Sequence, residues 1–303
     1  PRILYQKMTP AGAAGKPTVI AATVTRSGSQ TLTASFLPGA FANTYQSIHW
    51  QVLNTLKPPR CTPSDPHHAV CQTVFPARPA LAKLHVPQLA GCTATGPAYV
   101  TNGPRSQHEI ALTFDDGPWY DTPQFLDILE RYDVPGTFFE IGEQISEYGE
   151  GGAIERRMLA DGDMVGDHTW SHPNVSAGGA AARSQISRAA AAIKTATHGF
   201  QPCLFRAPYG AVSRPLISLA RSMGFTVIQW DVDPTDWARP GTDTIYDRVT
   251  SMARNGSIIL QHDGGGNRSE TLAALPREIQ FFKARGYRFV TVTQLLGERL
   301  IYR

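Results

Sequence analysis

The stretch Thr113–Pro118, which reads TFDDGP, closes a short apolar run of the kind that forms a buried strand. Asp115 and Asp116 are adjacent carboxylates at that strand end, and a Gly-Pro breaker follows them. Neighbouring carboxylates repel each other, so they persist together most readily when a cation lies between them or when they have different tasks. Because Asp and Gly are common turn residues, a simple Asx-type turn is the alternative for this stretch taken alone.

From His108 onward, short runs of β-branched or aromatic residues alternate with amphipathic stretches of helical period. Pro123 and Pro215 lie near predicted helix starts, and glycines follow three of the helical runs, as helix caps do. About seven repeats of this alternation predict an α/β fold with a parallel sheet. At this chain length, the simplest such architecture is a distorted (β/α) barrel of about seven parallel strands. The predicted strands are 109–114, 136–141, 164–166, 203–206, 226–230, 257–261 and 288–290. The predicted helices lie near 122–132, 153–161, 180–198, 213–223, 243–254, 271–285 and 293–299.

Residues 1–104 have a different texture, and we expect a small β-rich region and a linker ahead of a second domain at 105–303. Alternating apolar residues on either side of Ser27–Ser29 predict a hairpin, and we expect the apolar run 48–53 to pair with it. The stretch 58–104 is dense in Pro, Cys, Thr and Gly and predicts an irregular connector.

The composition and charge of the chain exclude several classes of protein. Its 303 residues carry a net charge of only +3, without a clustered basic stripe, so no nucleic-acid partner is expected. No run of 18 apolar residues occurs, so no transmembrane span is expected. The sequence starts at Pro1 without Met, as a product whose export signal has been removed would. We expect a monomer.

The four cysteines, Cys61, Cys71, Cys92 and Cys203, include no Cys-x-x-Cys pair, which argues against a structural zinc site. Cys61 and Cys71 bracket a short loop and are natural disulfide partners, which leaves Cys92 for Cys203. An even number of cysteines in loop-rich sequence is typical of an oxidising compartment. Four reduced thiols are the alternative, since spacing alone does not fix the connectivity.

Further polar clusters follow the predicted strands, at the strand ends where a (β/α) barrel collects its chemistry. His168 and His172 follow the third strand and, with one Asp, make a His₂–carboxylate set of the kind found at catalytic zinc sites. Arg206 follows the next strand and could hold an Asp ionised and oriented, with a purely structural Arg–Asp pair as the alternative. His262 ends an apolar strand at a Gly-rich loop, a suitable place for a general acid.

Five motifs in this order resemble those of the polysaccharide deacetylases, carbohydrate esterase family 4, which share the NodB-homology domain. They are TFDDGP (113–118), HTWSHP (168–173), RAPYG (206–210), DPTDW (233–237) and LQH (260–262). The resemblance covers roughly residues 108–300 and leaves 1–104 outside. It implies a catalytic domain at 105–303, and a metal-dependent hydrolase that removes acetyl groups from sugars.

The resemblance also implies roles for residues on the metal side of the site. Asp116, His168 and His172 resemble the metal ligands, most often for Zn²⁺. Several divalent ions bind such a set, so Co²⁺ or another transition metal is an alternative. Asp115 resembles the catalytic base, and Arg206 resembles the residue that orients it.

By the same resemblance, His262 corresponds to the general acid and Asp236 to the carboxylate that tunes it. Tyr209, Trp237 and Leu260 resemble the residues that line the acetyl pocket, with the Tyr209 backbone N–H assisting the oxyanion.

The chain departs from the family pattern at two positions. Asp167 precedes the first motif histidine, where Asn or Gly is usual, and it is expected either to strengthen the negative field of the site or to face solvent. Ala207 replaces a frequent Pro and is expected to be harmless. Neither change removes a catalytic group, so we expect an active enzyme.

The expected substrate is N-acetylglucosamine in peptidoglycan or chitin, with peptidoglycan first. An acetylxylan O-acetyl esterase is the alternative, and a catalytically decayed carbohydrate-binding protein is a remote one, since the motif residues are intact. We expect a secreted or cell-wall-associated protein of bacterial type. Residues 1–104 could be a binding module or a structural part.

Overall fold

The computed structural model describes residues 88–303 and, in the preceding part of the chain, the backbone of six β-strands. The chain divides into two compact units, Pro1–His85 and Val86–Arg303. The second unit begins ahead of residue 105, where the sequence pattern places the start of the second domain.

The described strands of the first unit form two antiparallel sheets. Strand β1 (Ile3–Met8) pairs with β2 (Ala14–Ile20). The other strands are β3 (Thr23–Ser27), β4 (Thr31–Phe36), β5 (Arg60–Asp65) and β6 (His68–Val74), in the spatial order β3-β4-β6-β5. The β3–β4 pair confirms the predicted hairpin, whereas the apolar run 48–53 lies outside the described residues.

The irregular connector predicted over 58–104 is wrong, because strands β5 and β6, together with β7 (Leu89–Thr93) and β8 (Tyr99–Val100), lie within it. Strand β5 contains Pro63 and stands at the end of its sheet order, where a residue without an N–H is tolerated. The β5–β6 register places Cys61 opposite Cys71, and a disulfide between them stays a prediction.

An eight-stranded parallel sheet forms the centre of the second unit. Besides β8, its strands are β9 (Glu109–Gly117), β10 (Gly136–Glu140), β11 (Met164–Asp167), β12 (Leu204–Phe205), β13 (Thr226–Ile228), β14 (Ser257–His262) and β15 (Arg288–Phe289). Their order is β14-β9-β10-β11-β12-β13-β8, and β15 pairs with β9. All seven predicted strands are confirmed, whereas the two-residue β8 is too short to show a period in the sequence.

The two ends of this strand order approach each other. Val232, just beyond β13, bridges to Ile259 of β14, and Asn102, just beyond β8, bridges to Ser257 at the start of β14. The sheet therefore curls into the predicted distorted barrel. The apolar run Ile110–Phe114 of β9 has no exposed surface, as expected for a strand covered on both faces.

Eight α-helices connect the strands of this unit. They are α1 (Thr122–Tyr132), α2 (Gly142–Tyr148), α3 (Ala153–Asp161), α4 (Gly179–Ala196), α5 (Arg214–Ser222), α6 (Thr242–Met252), α7 (Ser269–Ala284) and α8 (Val292–Leu296). The sequence pattern predicts all of them except α2, which has only seven residues and thus too few turns for a clear helical period. No helix in the described part of the chain is long and apolar enough to cross a membrane.

A disulfide and a short sheet tie the start of this unit to the barrel. Cys92 of β7 is bonded to Cys203, which confirms that predicted pair, and their Cα atoms are 5.3 Å apart. The Cys92 N–H also donates to the Gln201 carbonyl at 3.1 Å. Strand β16 (Arg299–Tyr302) pairs antiparallel with β7 and brings the end of the described chain to the same place.

Candidate active site

The polar clusters predicted to follow the strands meet at the carboxyl edge of the sheet. Asp115 ends the regular part of β9, where its register partners are Phe139 on β10 and His262 on β14. The backbone then turns sharply at Asp116, whose φ is 71°. Asp adopts this left-handed conformation more easily than most residues. Adjacent side chains on an extended strand point to opposite faces, whereas here the two carboxylates lie 3.8 and 3.5 Å from the same atom, His168 Nε2.

Asp115 is held by a guanidinium that is fully buried. Arg206 Nη1 donates to Asp115 Oδ1 at 2.6 Å and to Thr113 Oγ1 at 2.8 Å. Its Nε and Nη2 donate to the Ile228 and Gln229 carbonyls, each at 3.3 Å. A planar fork with its donors committed in this way fixes both its own position and that of the carboxylate. Asp115 Oδ2, the oxygen that Arg206 does not contact, lies 3.8 Å from His168 Nε2.

Asp116, His168 and His172 converge on one point. One ligand atom from each lies within 4.8 Å of the others. Asp116 Oδ1 is 3.5 Å from His168 Nε2 and 3.2 Å from His172 Nε2. His168 Nδ1 is 2.8 Å from the Arg206 carbonyl, which can only accept, so Nδ1 carries the proton and Nε2 presents its lone pair.

The protonation states of this cluster suit a divalent metal. Asp116 Oδ1 is buried without a hydrogen-bond partner among the described residues. Burial alone would raise the pKa of Asp116, but the neighbouring histidines, His168 foremost, lower it below its usual range. Burial, together with the charge of His168, lowers the pKa of His172. Because a metal requires deprotonated ligands, the lowered pKa values of Asp116 and His172 suit one, and the three side chains could hold it.

The loop that carries both histidines is fixed by side chains that the sequence motifs do not include. Gln185 Oε1 on α4 accepts from the Trp170 and Ser171 N–H groups at 2.9 and 3.0 Å. Asp167 Oδ1 accepts from the Thr169 N–H at 2.9 Å. Asp167 is fully buried, so the solvent-facing alternative is wrong, and burial raises its pKa well above the usual range. Its position directly before His168 makes it a support of the loop.

His262 and Asp236 form a second polar pair at the same edge. Asp236 Oδ1 lies 2.7 Å from His262 Nδ1, and Asp236 Oδ2 accepts from the His262 backbone N–H at 2.9 Å and from Thr271 Oγ1 at 3.0 Å. Burial would lower the pKa of His262, but the Asp236 carboxylate outweighs it and raises that pKa to about 9. The imidazole therefore carries a proton at neutral pH, with Nε2 directed away from Asp236.

The residues predicted to line an acetyl pocket lie close to these groups. The ring of Tyr209, which is 72% exposed, stands 4.6 Å from the ring of His172. Trp237 is 56% exposed and directly follows Asp236. Leu260 is buried and precedes His262 by two residues on β14, so the two side chains share a face of the strand.

Arg268 is a residue of this edge that sequence reasoning missed. It is buried, and its side chain donates to the Gly264, Gly265 and Trp237 carbonyls at 2.6, 3.2 and 3.4 Å. It thus ties the loop after β14 to the turn that carries Asp236. The only signal in the sequence is an Arg directly after the Gly-rich loop that follows His262, and this signal is weak because such residues are usually exposed.

Comparisons with known proteins find relatives of this chain among the deacetylases. The Polysaccharide deacetylase family model matches residues 102–228. A peptidoglycan-N-acetylglucosamine deacetylase of Bacillus cereus is 37% identical over 208 residues, which cover 65% of this chain and 93% of that protein. A chitooligosaccharide deacetylase of Sinorhizobium fredii is 39% identical over 204 residues, which cover 62% of this chain and 94% of that protein.

A solved structure extends the likeness to the fold. The Bc1960 peptidoglycan N-acetylglucosamine deacetylase superposes with a TM-score of 0.63 at 35% sequence identity, over 66% of this chain and 93% of that one. A relative matched over most of its own length at this identity shows common descent. The chain belongs to the polysaccharide deacetylase family, carbohydrate esterase family 4, as its five motifs predict.

Proposed function

We propose that this protein hydrolyses the N-acetyl group of N-acetylglucosamine units in a cell-wall or chitin-type polysaccharide, with peptidoglycan as the first target. The two relatives described above are named for peptidoglycan and for chitooligosaccharides, which share this sugar. The observation that carries the proposal is the His262–Asp236 pair, because a protonated imidazole is the group that amide cleavage requires at the leaving nitrogen.

Asp116, His168 and His172 would hold a divalent metal, and we propose Zn²⁺ because an open His₂–carboxylate set is common at catalytic zinc sites. When bound, such an ion supplies Lewis-acid polarisation of the acetyl carbonyl and lowers the pKa of water in contact with it. The Nδ1 contact of His168 with the Arg206 carbonyl orients its ring toward that ligand set.

Asp115 acts in this proposal as the general base. Arg206 occupies Oδ1, so Oδ2 is the oxygen available to accept the proton of the attacking water, and it faces His168. The same Arg206 contact holds the carboxylate in one orientation before the substrate binds. The Tyr209 N–H is proposed to donate to the oxyanion that develops on the acetyl oxygen, a type of contact worth about 3–4 kcal/mol.

His262 acts as the general acid. Its Nδ1 is committed to Asp236, so Nε2 delivers the proton to the departing amine. An amide nitrogen leaves badly as an anion, whereas a sugar alkoxide needs this proton less. A donor whose pKa is raised to about 9 by a buried carboxylate therefore favours an amide substrate over an O-acetyl ester.

The test is acetate release from a panel of N-acetylglucosamine oligomers, peptidoglycan and acetylated xylan, each assayed with chelator and again with Zn²⁺ added back. We expect Zn²⁺-restored release from the amide substrates, with peptidoglycan ahead of chitin-type chains. Release from xylan alone would move the function to an O-acetyl esterase. Binding without any release would revive the carbohydrate-binding alternative.

We also propose that the catalytic domain is separable from the β-rich region before it and that the protein acts outside the cell, where these polysaccharides lie. A truncation that tests the domain should begin at Val86 and not at residue 105. A later start would remove β8 from the barrel sheet and Cys92 from its disulfide. If polymer binding falls while turnover of short oligomers survives, the first region is a targeting module.

A further inference from the structure

Three aromatic side chains cluster beside the candidate active site without a role in the chemistry described above. The ring of Trp119 lies 5.4 Å from that of Tyr120 and 4.5 Å from that of Tyr148, and the two tyrosine rings are 4.8 Å apart. The Tyr120 ring meets the other two edge to face at interplanar angles of 70°, and the rings of Trp119 and Tyr148 are tilted by 54°. We call Trp119, Tyr120 and Tyr148 the aromatic platform.

The aromatic platform is on the surface. Tyr120 is 71% exposed, and Trp119 and Tyr148 are half-buried. An exposed aromatic ring forgoes most of the stabilisation that burial would give it, so the position of Tyr120 beside two half-buried rings calls for an explanation. The core of this unit meanwhile buries its phenylalanines completely, for example Phe114 and Phe138.

The platform is connected along the chain to Asp116 and by hydrogen bonds to the loop between His168 and His172. Trp119 follows Asp116 by three residues, so their Cα atoms are at most about 11 Å apart. Tyr148 ends α2, whose first N–H groups, those of Gly142 and Glu143, donate to the Thr169 and Trp170 carbonyls at 3.0 and 2.9 Å. These two carbonyls belong to the loop between the motif histidines. The backbone segments that carry the rings are therefore connected directly to Asp116 and to the loop of the motif histidines.

The loop that carries two of the rings is anchored at both ends. The Trp119 N–H donates to Thr122 Oγ1 at 2.7 Å, and this hydroxyl donates in turn to the buried Asp263 that follows His262. Asp121 Oδ2 accepts from the Arg268 backbone N–H at 3.2 Å. Rigid Tyr and Trp side chains in a fixed loop lose little conformational entropy on binding, so such a surface is preorganised for a ligand.

We infer that the aromatic platform is a subsite that stacks against a pyranose ring of the polymer next to the unit being deacetylated. The inference rests on the proposed function and names the part of the substrate that the ligand set itself does not contact. The C–H face of a β-linked glucopyranose is apolar, while its hydroxyls project sideways into water. Exposed, rigid aromatic rings match that face, and they carry no charge that would select for or against a wall polymer.

The experiment compares chain lengths. In the turnover-deficient D115N protein, calorimetric titration gives Kd for N-acetylglucosamine itself and for its hexamer, before and after the further double change Y120A/Y148A. We expect the hexamer Kd to rise about 10-fold, the size of effect that aromatic contacts carry, and the Kd of the monosaccharide, which has no neighbouring ring, to stay unchanged. In the active protein the same double change should raise KM for the hexamer and leave kcat alone.

Two controls separate stacking from general damage. Tyr302 is 58% exposed on β16, away from the carboxyl edge of the sheet, so Y302A should change neither Kd. Y120F keeps the ring and should retain the parent affinity. An unchanged hexamer Kd, an equal loss for the monosaccharide and the hexamer, or no hexamer binding by the parent would overturn the subsite. If binding depends on the platform but the parent protein releases no acetate, the proposed function is refuted while the subsite is retained.

Discussion

His172 and His262 lie at the same edge of the sheet, yet their surroundings drive them to opposite protonation states. Burial and the nearby His168 lower the pKa of His172, whereas Asp236 overcomes burial and raises the pKa of His262 to about 9. The difference shows that burial alone does not assign a role to a histidine here. The Asp236 carboxylate outweighs burial and makes His262 a proton donor, whereas burial and His168 outweigh the Asp116 carboxylate at His172.

The partner of Nδ1 gives the same contrast in geometry. His168 Nδ1 donates to the Arg206 carbonyl at 2.8 Å, and His262 Nδ1 donates to the Asp236 carboxylate at 2.7 Å. A neutral acceptor fixes the tautomer without adding charge, while an ionised acceptor also stabilises the imidazolium. The two regions, which we call the ligand side (Asp115, Asp116, His168, His172 and Arg206) and the acid side (His262 and Asp236), can therefore be perturbed separately.

The largest expected effect is the loss of metal binding on the ligand side in His168→Ala. We expect metal binding and acetate release to be lost together, because the change removes one of the three converging ligand atoms. Metal content by mass spectrometry and turnover on a wall oligomer measure the two losses. His198→Asn is the control, since His198 is exposed and Asn tolerates its positive φ of 57°. A metal-replete, active His168→Ala protein would contradict the ligand assignment.

Asp115→Asn should cut activity by about 10⁴-fold while the metal stays bound, because it removes the proposed base and leaves the ligand set in place. The readouts are kcat and metal stoichiometry on the same sample. Exposed Asp247→Asn is the matched control and should leave both unchanged. Turnover at the parent level would remove Asp115 as the base.

On the acid side, His262→Gln should lower kcat on an N-acetyl substrate by about 10²-fold or more and lower it much less on an O-acetyl ester of similar shape. The reason is the leaving group, since only the amine requires the imidazolium proton. The measurement is the ratio of the two kcat values, with His198→Asn again as control. Equal losses on both substrates would show that His262 does not act at the leaving nitrogen.

The smallest expected effect, and the most specific, is a shift in pH dependence with Asp236→Asn. In the parent, the protonated His262 is the active form, so activity should fall as the pH rises through about 9. Without the carboxylate that raises this pKa, the alkaline limb should move down toward the ordinary histidine value of about 6.5. The profile of kcat against pH tests this shift. An alkaline limb that does not move would show that Asp236 does not set the pKa of His262.

The same pair contributes stability with a defined sign. Because the folded pKa of His262 lies above its unfolded value, the stabilisation is complete below about pH 6.5 and is lost as the pH rises through about 9. Denaturant midpoints across this range should converge for the parent and Asp236→Asn at the alkaline end.

Local sequence was sufficient for much of the fold and for the choice of site residues. Seven strands and seven helices follow from hydrophobic period, and helix α1 (Thr122–Tyr132) matches its predicted bounds, because Pro123 near its start is a local signal. The five motifs name the residues that the structure gathers at one edge, because strand ends in a parallel barrel are adjacent whatever lies between them.

Tertiary structure alone decided what those residues experience. Asp115 meets Arg206 across 91 positions of sequence. Gln261 meets Glu278 through the packing of α7 on β14, and Gly117 meets Asp263 through the pairing of β9 with β14. No clear local sequence pattern predicts three further features. They are the burial of Asp167, the carbonyl contacts of Arg268 and the clustering of Tyr120 with Tyr148. Burial, hydrogen-bond partners and therefore pKa values depend on atoms from distant segments, so a residue type can be read from the sequence while its protonation state cannot.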